Sequence, residues 1–319
     1  MPTVVTRCVC ALAFSALAAG ALAQERPKIR AASLTLPVLA PLVVNVMKEK
    51  RFDAKHGFEL EVRPYPSISA YYAGLAVGEV DALIGGPTVM QKMRAEGAPV
   101  QIAATAFRLS DLSILTKDPA IKTLADLKGK QLAADMGSGQ YQVVSIYARE
   151  KGVTMGKDVT VVNANFPLAR SQLAAGRVDA AMVIEPIVTM MLRQDKDLRI
   201  IFNGAAAWQE IAGNAGWELV LSIREDFAKK GDLPRRLIAA MQDVAALTRS
   251  DPDEVDAIVV KTIKLPPGVV KEALTNKRLE LDVQPAWGPE RKTIWEMFER
   301  AVAAKFLDKL PAEMIIYTP

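Results

Sequence analysis

From residue 28 to residue 107, short apolar runs alternate with stretches of helical period, and the alternation restarts near residue 123. "KIRAASLT" reads as a strand bounded by Pro27 and Pro37. Leu39, Leu42, Val43, Val46 and the stem of Lys50 then share one helical face that runs to "KHG", where Gly57 suits a C-cap. "FELEVRPY" alternates like a half-buried strand. "SISAYYAGLAVGEV" returns to helix with Ser67 or Ser69 as N-cap, and "DALIGG" is a strand. "PTVMQKMRAEG" is a helix opened by Pro87, and "VQIAATAF" is the next strand. This is βαβαβαβ, the order of a parallel sheet with helices on both faces.

"RLSDLSILTKDPAI" has no clear stop and reads as a crossover. A second series follows: "TLADLKG" helix, "KQLAAD" strand, "GSGQYQVVSIYAREKG" helix, "VTVVNA" strand, "LARSQLAAGRV" helix, "DAAMVI" strand, "PIVTMMLRQD" helix and "LRIIF" strand. After "NGAAAWQEIAGNAG" the chain crosses back through the strand-like "WELVLSI" into a run of helices. The longest of these, "DLPRRLIAAMQDVAALTRS", sets Leu233, Leu237, Met241, Val244 and Thr248 on one face.

The two series share a phrase. Residues 78–87 read "GEVDALIGGP" and residues 176–186 read "GRVDAAMVIEP". In each, a glycine (Gly78, Gly176) ends a helix, an aspartate (Asp81, Asp179) sits in the turn, an apolar strand follows, and proline ends it. Turns between helix and strand converge on such residues independently, but the matching surroundings favour a duplicated architecture.

Charge and composition narrow the picture. Forty Lys and Arg against 36 Asp and Glu give a net charge of +4 over 319 residues. The charges are interspersed, as in "VMKEKRFDAKHGFELEVR", and form no basic stripe of the kind nucleic acid requires. The first residues, "MPTVVTRCVCALAFSALAAGALAQ", hold one Arg, an uncharged apolar run and Ala-Leu-Ala at 21–23. They read as a secretory signal peptide cleaved before Gln24. The run is shorter than the roughly 20 residues of a spanning helix. No Cys follows Ala23, so no lipoprotein anchor is expected. Both cysteines, Cys8 and Cys10, lie inside that signal. The exported chain then has no thiol and one histidine, His56, so no catalytic residue, metal site or cofactor is expected.

At this point the chain resembles the periplasmic solute-binding proteins of ABC importers, in the nitrate/sulfonate/taurine and pyrimidine- or thiamine-precursor binding family. The residues that carry the resemblance are the strand–Leu-Thr–helix opening, "GEVDALIGGPTVM", "LADLKGKQLAADMGSGQ" and "LAAGRVDAAMVIEP", in that order behind a signal. The resemblance implies an α/β fold like the type II periplasmic binding proteins: two doubly wound lobes joined by a two-strand hinge. It implies a small-molecule ligand clamped between the lobes and a permease with its ATPase as partners, and a monomer is expected. The expected division is a signal at 1–23, the first part of lobe 1 at 24–107, lobe 2 at 108–213, and a return to lobe 1 with C-terminal helices at 214–319.

In open α/β sheets, ligands bind beyond the carboxyl ends of the strands. The expected contacts there are Ser33, Thr35, Pro87, Thr88, Arg108, Gly137, Ser138, Gly139, Gln140, Glu185 and Trp217. In "MGSGQYQ" two glycines flank Ser138 at a helix start, a place for an anionic or strongly polar group, or a plain N-cap. Thr88 either caps a helix or meets the ligand. Arg108 either grips a carboxylate or sulfonate in bidentate fashion or pairs with Asp111. Glu185 either accepts a hydrogen bond from a ligand amine or holds the hinge; Trp217 is the preferred candidate wall, with Trp208, Tyr71 and Tyr72 as others. The leading reading is capture of a sulfonate-, taurine- or nitrate-like anion; the alternative is a pyrimidine or thiamine precursor or an aromatic acid. A pyrimidine-synthase-like enzyme is a remote third, because that chemistry leans on His and Cys. A LysR-type sensor is set aside for want of a helix-turn-helix segment.

Overall fold

The computed structural model describes residues 26–35, 38 and 40–319. The expected signal peptide, together with Pro37 and Leu39, lies outside the described residues. Ten strands are named: β1 Lys28–Leu34, β2 Glu59–Tyr65, β3 Ala82–Gly85, β4 Val100–Arg108, β5 Leu112–Thr116, β6 Gln131–Ala134, β7 Thr160–Asn163, β8 Ala180–Ile184, β9 Arg199–Asn203 and β10 Trp217–Arg224. Among the described residues they form two five-stranded sheets, β2-β1-β3-β10-β4 and β7-β6-β8-β5-β9.

The two orders are the same order. In the first sheet β1 lies between its parallel neighbours β2 and β3, and β10 enters antiparallel between β3 and β4. In the second, β6 lies between its parallel neighbours β7 and β8, and β5 enters antiparallel between β8 and β9. The wholly parallel sheets expected from the βα alternation are thereby corrected to mixed ones. The reason is the crossover. The chain leaves β4 at the end where the parallel strands finish, so it reaches the other sheet at that same end. It can only run back down as β5, and the return into β10 repeats the move. The segment read as a featureless crossover therefore contains β5, a strand central to its sheet.

The repeated phrase does one job twice. Gly78 and Gly176 have φ of 84° and 65°, a region that favours glycine. The Asp81 N–H donates to the Arg30 carbonyl (2.7 Å), and its Oδ2 accepts the Arg30 N–H (2.8 Å). The Asp179 N–H donates to the Gln131 carbonyl (3.0 Å), and its Oδ2 accepts the Gln131 N–H (2.7 Å). Each aspartate thus brackets one residue of the neighbouring parallel strand and pins the register of the strand that follows it. Arg30 and Lys230 add charge to the first clasp, and ion pairing with hydrogen bonding holds the Asp81 carboxyl below the usual carboxylate range against the opposing effect of burial.

The helices fall largely where the pattern puts them: Ala40–Glu49, Ile68–Val77 with Ser67 as N-cap, Pro87–Ala95, Gly139–Glu150, Phe166–Ala174, Ile187–Gln194, Leu233–Ser250, Pro252–Ile263, Val269–Thr275 and Glu290–Ala303. Two differ. "TLADLKG" makes only a 3-10 turn, Leu124–Leu127, closed by a Thr123/Asp126 capping box, because Gly129 follows one turn on. "GAAAWQEIA" forms a helix, Gly204–Ala212, where a crossover was expected. His56 Nε2 lies 2.7 Å from Asp243 Oδ2 on the long helix Leu233–Ser250. That helix buries Leu237, Ile238, Met241 and Val244 under the first sheet. Glu290–Ala303 packs on Pro87–Ala95 beside the first sheet and on Gly139–Glu150 beside the second. It is tied to the latter by Arg300–Glu150 (2.6 Å) and by Arg149 donating to the Ala304 carbonyl (3.0 Å). Among the described residues no helix is long and apolar enough to cross a membrane.

Candidate functional site

The carboxyl ends of β1, β3, β6, β7 and β8 converge on a cavity between the two sheets. Its first-sheet wall holds Leu34, Ile84, Tyr71 and Tyr72, with Glu218 and Leu219 of β10. Its second-sheet wall is Ser138, Gly139, Gln140, Phe166 and Ile184. The space is about 50 Å³. Ligand pockets run to roughly 300–1,000 Å³, so a solute can enter only if the walls part. The lips nearly touch: a Cβ on Gly139 would stand 3.8 Å from Gly86 Cα and 3.9 Å from Thr88 Oγ1.

Two helix starts face one another across that gap. Pro87–Ala95 begins at the Gly86 N-cap, and Gly139–Glu150 begins at Ser138. The Ser138 hydroxyl donates to the Asp135 carbonyl (2.7 Å) and accepts the Tyr141 N–H (3.1 Å), so it is occupied as a cap. Gly139 and Gln140 line the cavity and come first in the helix, where the N–H groups have no carbonyl one turn back. The positive end of the helix dipole therefore points at the space.

The tyrosine pair forms the apolar floor. Tyr71 and Tyr72 meet edge to face at 5.6 Å, and Tyr71 stands edge to face with Tyr65 at 6.2 Å. The Tyr71 hydroxyl donates to the Ile84 carbonyl (2.9 Å) and accepts the Ile84 N–H (3.0 Å). The Tyr72 hydroxyl accepts the Gly86 N–H (3.2 Å), and burial pushes its pKa up to about 12. A side chain at Gly85 would collide with Tyr72, its Cβ only 2.7 Å from Tyr72 Cε1. This explains a glycine where β3 meets the ring.

The charged chemistry is acidic and buried. Asp111, Glu185 and Glu218 are 0%, 0% and 4% exposed. Glu185 is satisfied: its carboxylate accepts from Arg278 Nε (2.8 Å), Thr189 Oγ1 (2.9 Å) and the Thr189 N–H (3.0 Å). Burial still raises its pKa, with Arg278 and Thr189 opposing. Asp111 immediately precedes β5 and Glu218 is the second residue of β10, the two antiparallel crossover strands; Glu218 lines the cavity and Asp111 adjoins it. Burial raises both, Glu218 raises Asp111 further, and their carboxyls share a hydrogen bond. A neighbouring carboxyl of like charge disfavours ionisation, so burial first and Glu218 second keep Asp111 protonated to higher pH than an ordinary aspartate. The Gln140 side-chain amide donates to Glu218 Oε1 and ties the second sheet's helix start to the first sheet's strand.

Of the residues expected at the site, Ser138, Gly139 and Gln140 line the cavity, and Thr88 and Pro87 lie at its lip. Ser33, Thr35 and Gly137 are outside the lining; Thr35 Oγ1 donates to the Tyr65 carbonyl (3.3 Å), and the Gly137 N–H bonds Asp135. Arg108 is turned away. Its guanidinium stacks 3.5 Å from the Trp217 ring centroid and pairs with Asp282 (2.7 Å), not with Asp111. Trp217 is fully buried and donates from Nε1 to Glu290 Oε2 (2.9 Å), so it is core and not wall. Glu185 holds the junction of β8 with the following helix against Arg278. Sequence reading missed Glu218 and Asp111, whereas Tyr71 and Tyr72 stand in the wall as candidates for it. The available signal was an ionisable residue inside the run "WELVLSI", which otherwise has the make-up of a strand buried on both faces.

Among the described residues, no group of three or more His, Cys, Asp or Glu side chains is placed to hold a metal ion. Two like-ordered sheets, crossed twice by the chain and enclosing a cavity at their strand ends, define the periplasmic-binding-protein class of fold. Residues 39–255 match the family model described as "NMT1/THI5 like", and the chain belongs to that family. A protein of Escherichia coli (strain K12) described as an aliphatic sulfonates-binding protein is 26% identical over 168 residues; the match spans 53% of this chain and only about half, 50%, of that protein. The crystal structure of the periplasmic aliphatic sulphonate binding protein SsuA from Escherichia coli superposes with a TM-score of 0.76 at 19% identity, covering 92% of this chain and 93% of that one. The alkanesulfonate-binding protein SsuA from Xanthomonas axonopodis pv. citri, bound to MOPS, gives 0.73 at 22% identity, covering 92% and 97%. At those identities the structures establish the fold.

Proposed function

We propose that this chain is the solute-binding component of an ABC importer. It is exported to the periplasm through the signal at 1–23 and works there as a monomer. It captures a small organic anion of the sulfonate, taurine or nitrate kind and delivers it to a membrane permease driven by its ATPase. The observation that carries this reading is a cavity whose two walls come from different sheets, at the ends of strands, beside the two crossings of the chain. The moving bodies are residues 24–107 with 214–319, and residues 108–213. The anionic head sits at the N–H groups of Gly139 and Gln140 beside Ser138 and Thr88. A helix start contributes roughly 0.3–1 kcal/mol, and about 2 when partly buried, so it orients the solute while apolar contact supplies the rest. No bond-breaking step is part of this reading. The names of the sulfonate-binding relatives support the ligand class.

A second reading, a pyrimidine or thiamine precursor or an aromatic acid, draws on Tyr71, Tyr72 and Phe166 in the lining. Thermal melts of the purified protein against alkanesulfonates, nitrate, pyrimidines and aromatic acids decide between them. A true solute at a hundred times its dissociation constant adds about 2.7 kcal/mol. One class raising the melting temperature is the expected result. A folded protein whose melting temperature none of the four moves counts against solute capture.

A further inference from the structure

Glu218 owes its position to an irregularity in the sheet. Trp217 pairs with Arg108 and Leu219 with Phe107, so Glu218 is the extra residue of a β-bulge between them. A bulge re-aims a side chain, and here it sends Trp217 into the core and Glu218 into the cavity. The carboxyl is 4% exposed, and apart from the hydrogen bond it shares with the Asp111 carboxyl its Oε2 has no donor among the described residues. Behind it, the fully buried Asp111 has no donor other than Glu218. The cations nearby are committed elsewhere: Arg278 to Glu185, and Arg108 to Asp282 and the Trp217 ring. No Lys, Arg or His stands among the described lining residues.

A buried carboxyl with an open acceptor costs free energy unless something donates to it. It also repels a bare anion held a few ångströms away in the same small space. Both costs vanish if the guest brings its own donor. Building on the solute-capture reading, we propose that Glu218 is the specificity-determining anchor of the cleft. It accepts an N–H donor from a ligand that carries an ammonium or amidinium group on an apolar body. An anionic group on the same molecule then occupies the helix start at Gly139 and Gln140, which adjoins Glu218 through the Gln140 side chain. The preferred solute is an amino-bearing anion, and a plain anion of the same size is the poorer guest.

The test is calorimetric titration of the purified protein with compounds that differ by one amino group: ethanesulfonate and propanesulfonate against their ω-amino counterparts, and pyrimidine against 4-aminopyrimidine. The amino member of at least one pair is expected to bind about tenfold tighter or better. In a folded Glu218→Gln protein that preference falls below about threefold, while affinity for the plain member is kept or improved. Asp111→Asn leaves Glu218 ionised and donates to it, so it retains the preference. Plain members that bind as well as amino ones, or a preference that survives Glu218→Gln, overturn the inference and leave solute capture standing. Loss of the preference in Asp111→Asn as well as Glu218→Gln marks a structural effect and also overturns it. If no member of any pair binds, the inference is overturned, while solute capture stands or falls on the thermal melts.

Discussion

Arg278 is the cation on which the second sheet's strand end depends, and its removal has a calculable cost. Its guanidinium reaches Glu185 at 2.8 Å, Thr189 Oγ1 at 2.9 Å and Glu272 at 3.2 Å, while the Glu185 side chain is wholly buried. Arg278→Met keeps the stem and removes the charge. Breaking a buried pair by deleting one partner costs about 3–5 kcal/mol, because the other charge stays buried. Two hydrogen bonds from Thr189 remain on the carboxylate, which puts the loss near the lower end, about 3 kcal/mol. The cost also has a ceiling, since the acid can take up a proton instead. Burial already raises Glu185 with Arg278 present, and without the cation it rises further. A carboxyl raised in the folded state loses stability as pH climbs from its unfolded value toward its folded one. The variant is therefore closest to wild type near about pH 5 and weakest near about pH 8. Urea unfolding followed by both circular dichroism and tryptophan fluorescence at the two pH values measures this. Adding Glu185→Gln to Arg278→Met removes the stranded charge and is expected to recover more than half the loss. A deficit under about 1 kcal/mol at the higher pH, or one equal at both, refutes the reasoning.

Two further outcomes follow from the same chemistry. Asp111→Asn replaces a buried acid whose pKa is raised by burial and by Glu218 with a neutral group that donates to Glu218, so stability at neutral pH rises. The gain is absent in acid, where Asp111 is protonated in both folded and unfolded chains, and grows as pH passes above the usual aspartate value; melting curves against pH show it. Gly139→Trp sets an indole between Gly86, Val89 and Thr88, which stand 3.8–3.9 Å from where its Cβ would lie. The backbone there is not left-handed, so the helix start survives while the lobes are wedged apart; small-angle scattering at saturating solute is expected to show a larger radius of gyration than wild type, and calorimetry a weaker solute affinity.

The repeated Gly-x-Val-Asp-Ala phrase was legible because its residues act locally: a left-handed glycine and an aspartate that brackets the next strand leave the same trace in both series. The parallel strands were legible as apolar runs for the same reason. What escaped was non-local. "LSILT" has the content of a strand, but its antiparallel place in the middle of the second sheet is decided by where the crossover delivers it. At the site, the helix start at Ser138–Gln140 could be read from glycines and a hydroxyl in sequence. Trp217 and Glu218 could not be assigned to their faces, because a bulge breaks the alternation of β10 at that point. Arg108 was misplaced because its partners, Trp217 and Asp282, lie far along the chain.

The account rests on two lobes that close over a cleft. The described residues contain no cysteine, so paired spin labels at Lys92→Cys on one lobe and Ala174→Cys on the other, in the chain beginning at Gln24, report their separation directly. Pulsed electron–electron resonance with and without the solute selected by thermal melts is the decisive measurement. The account predicts a long, broad distance distribution that collapses to a shorter, narrow one when solute is added. A single unchanged distance at saturating solute contradicts it.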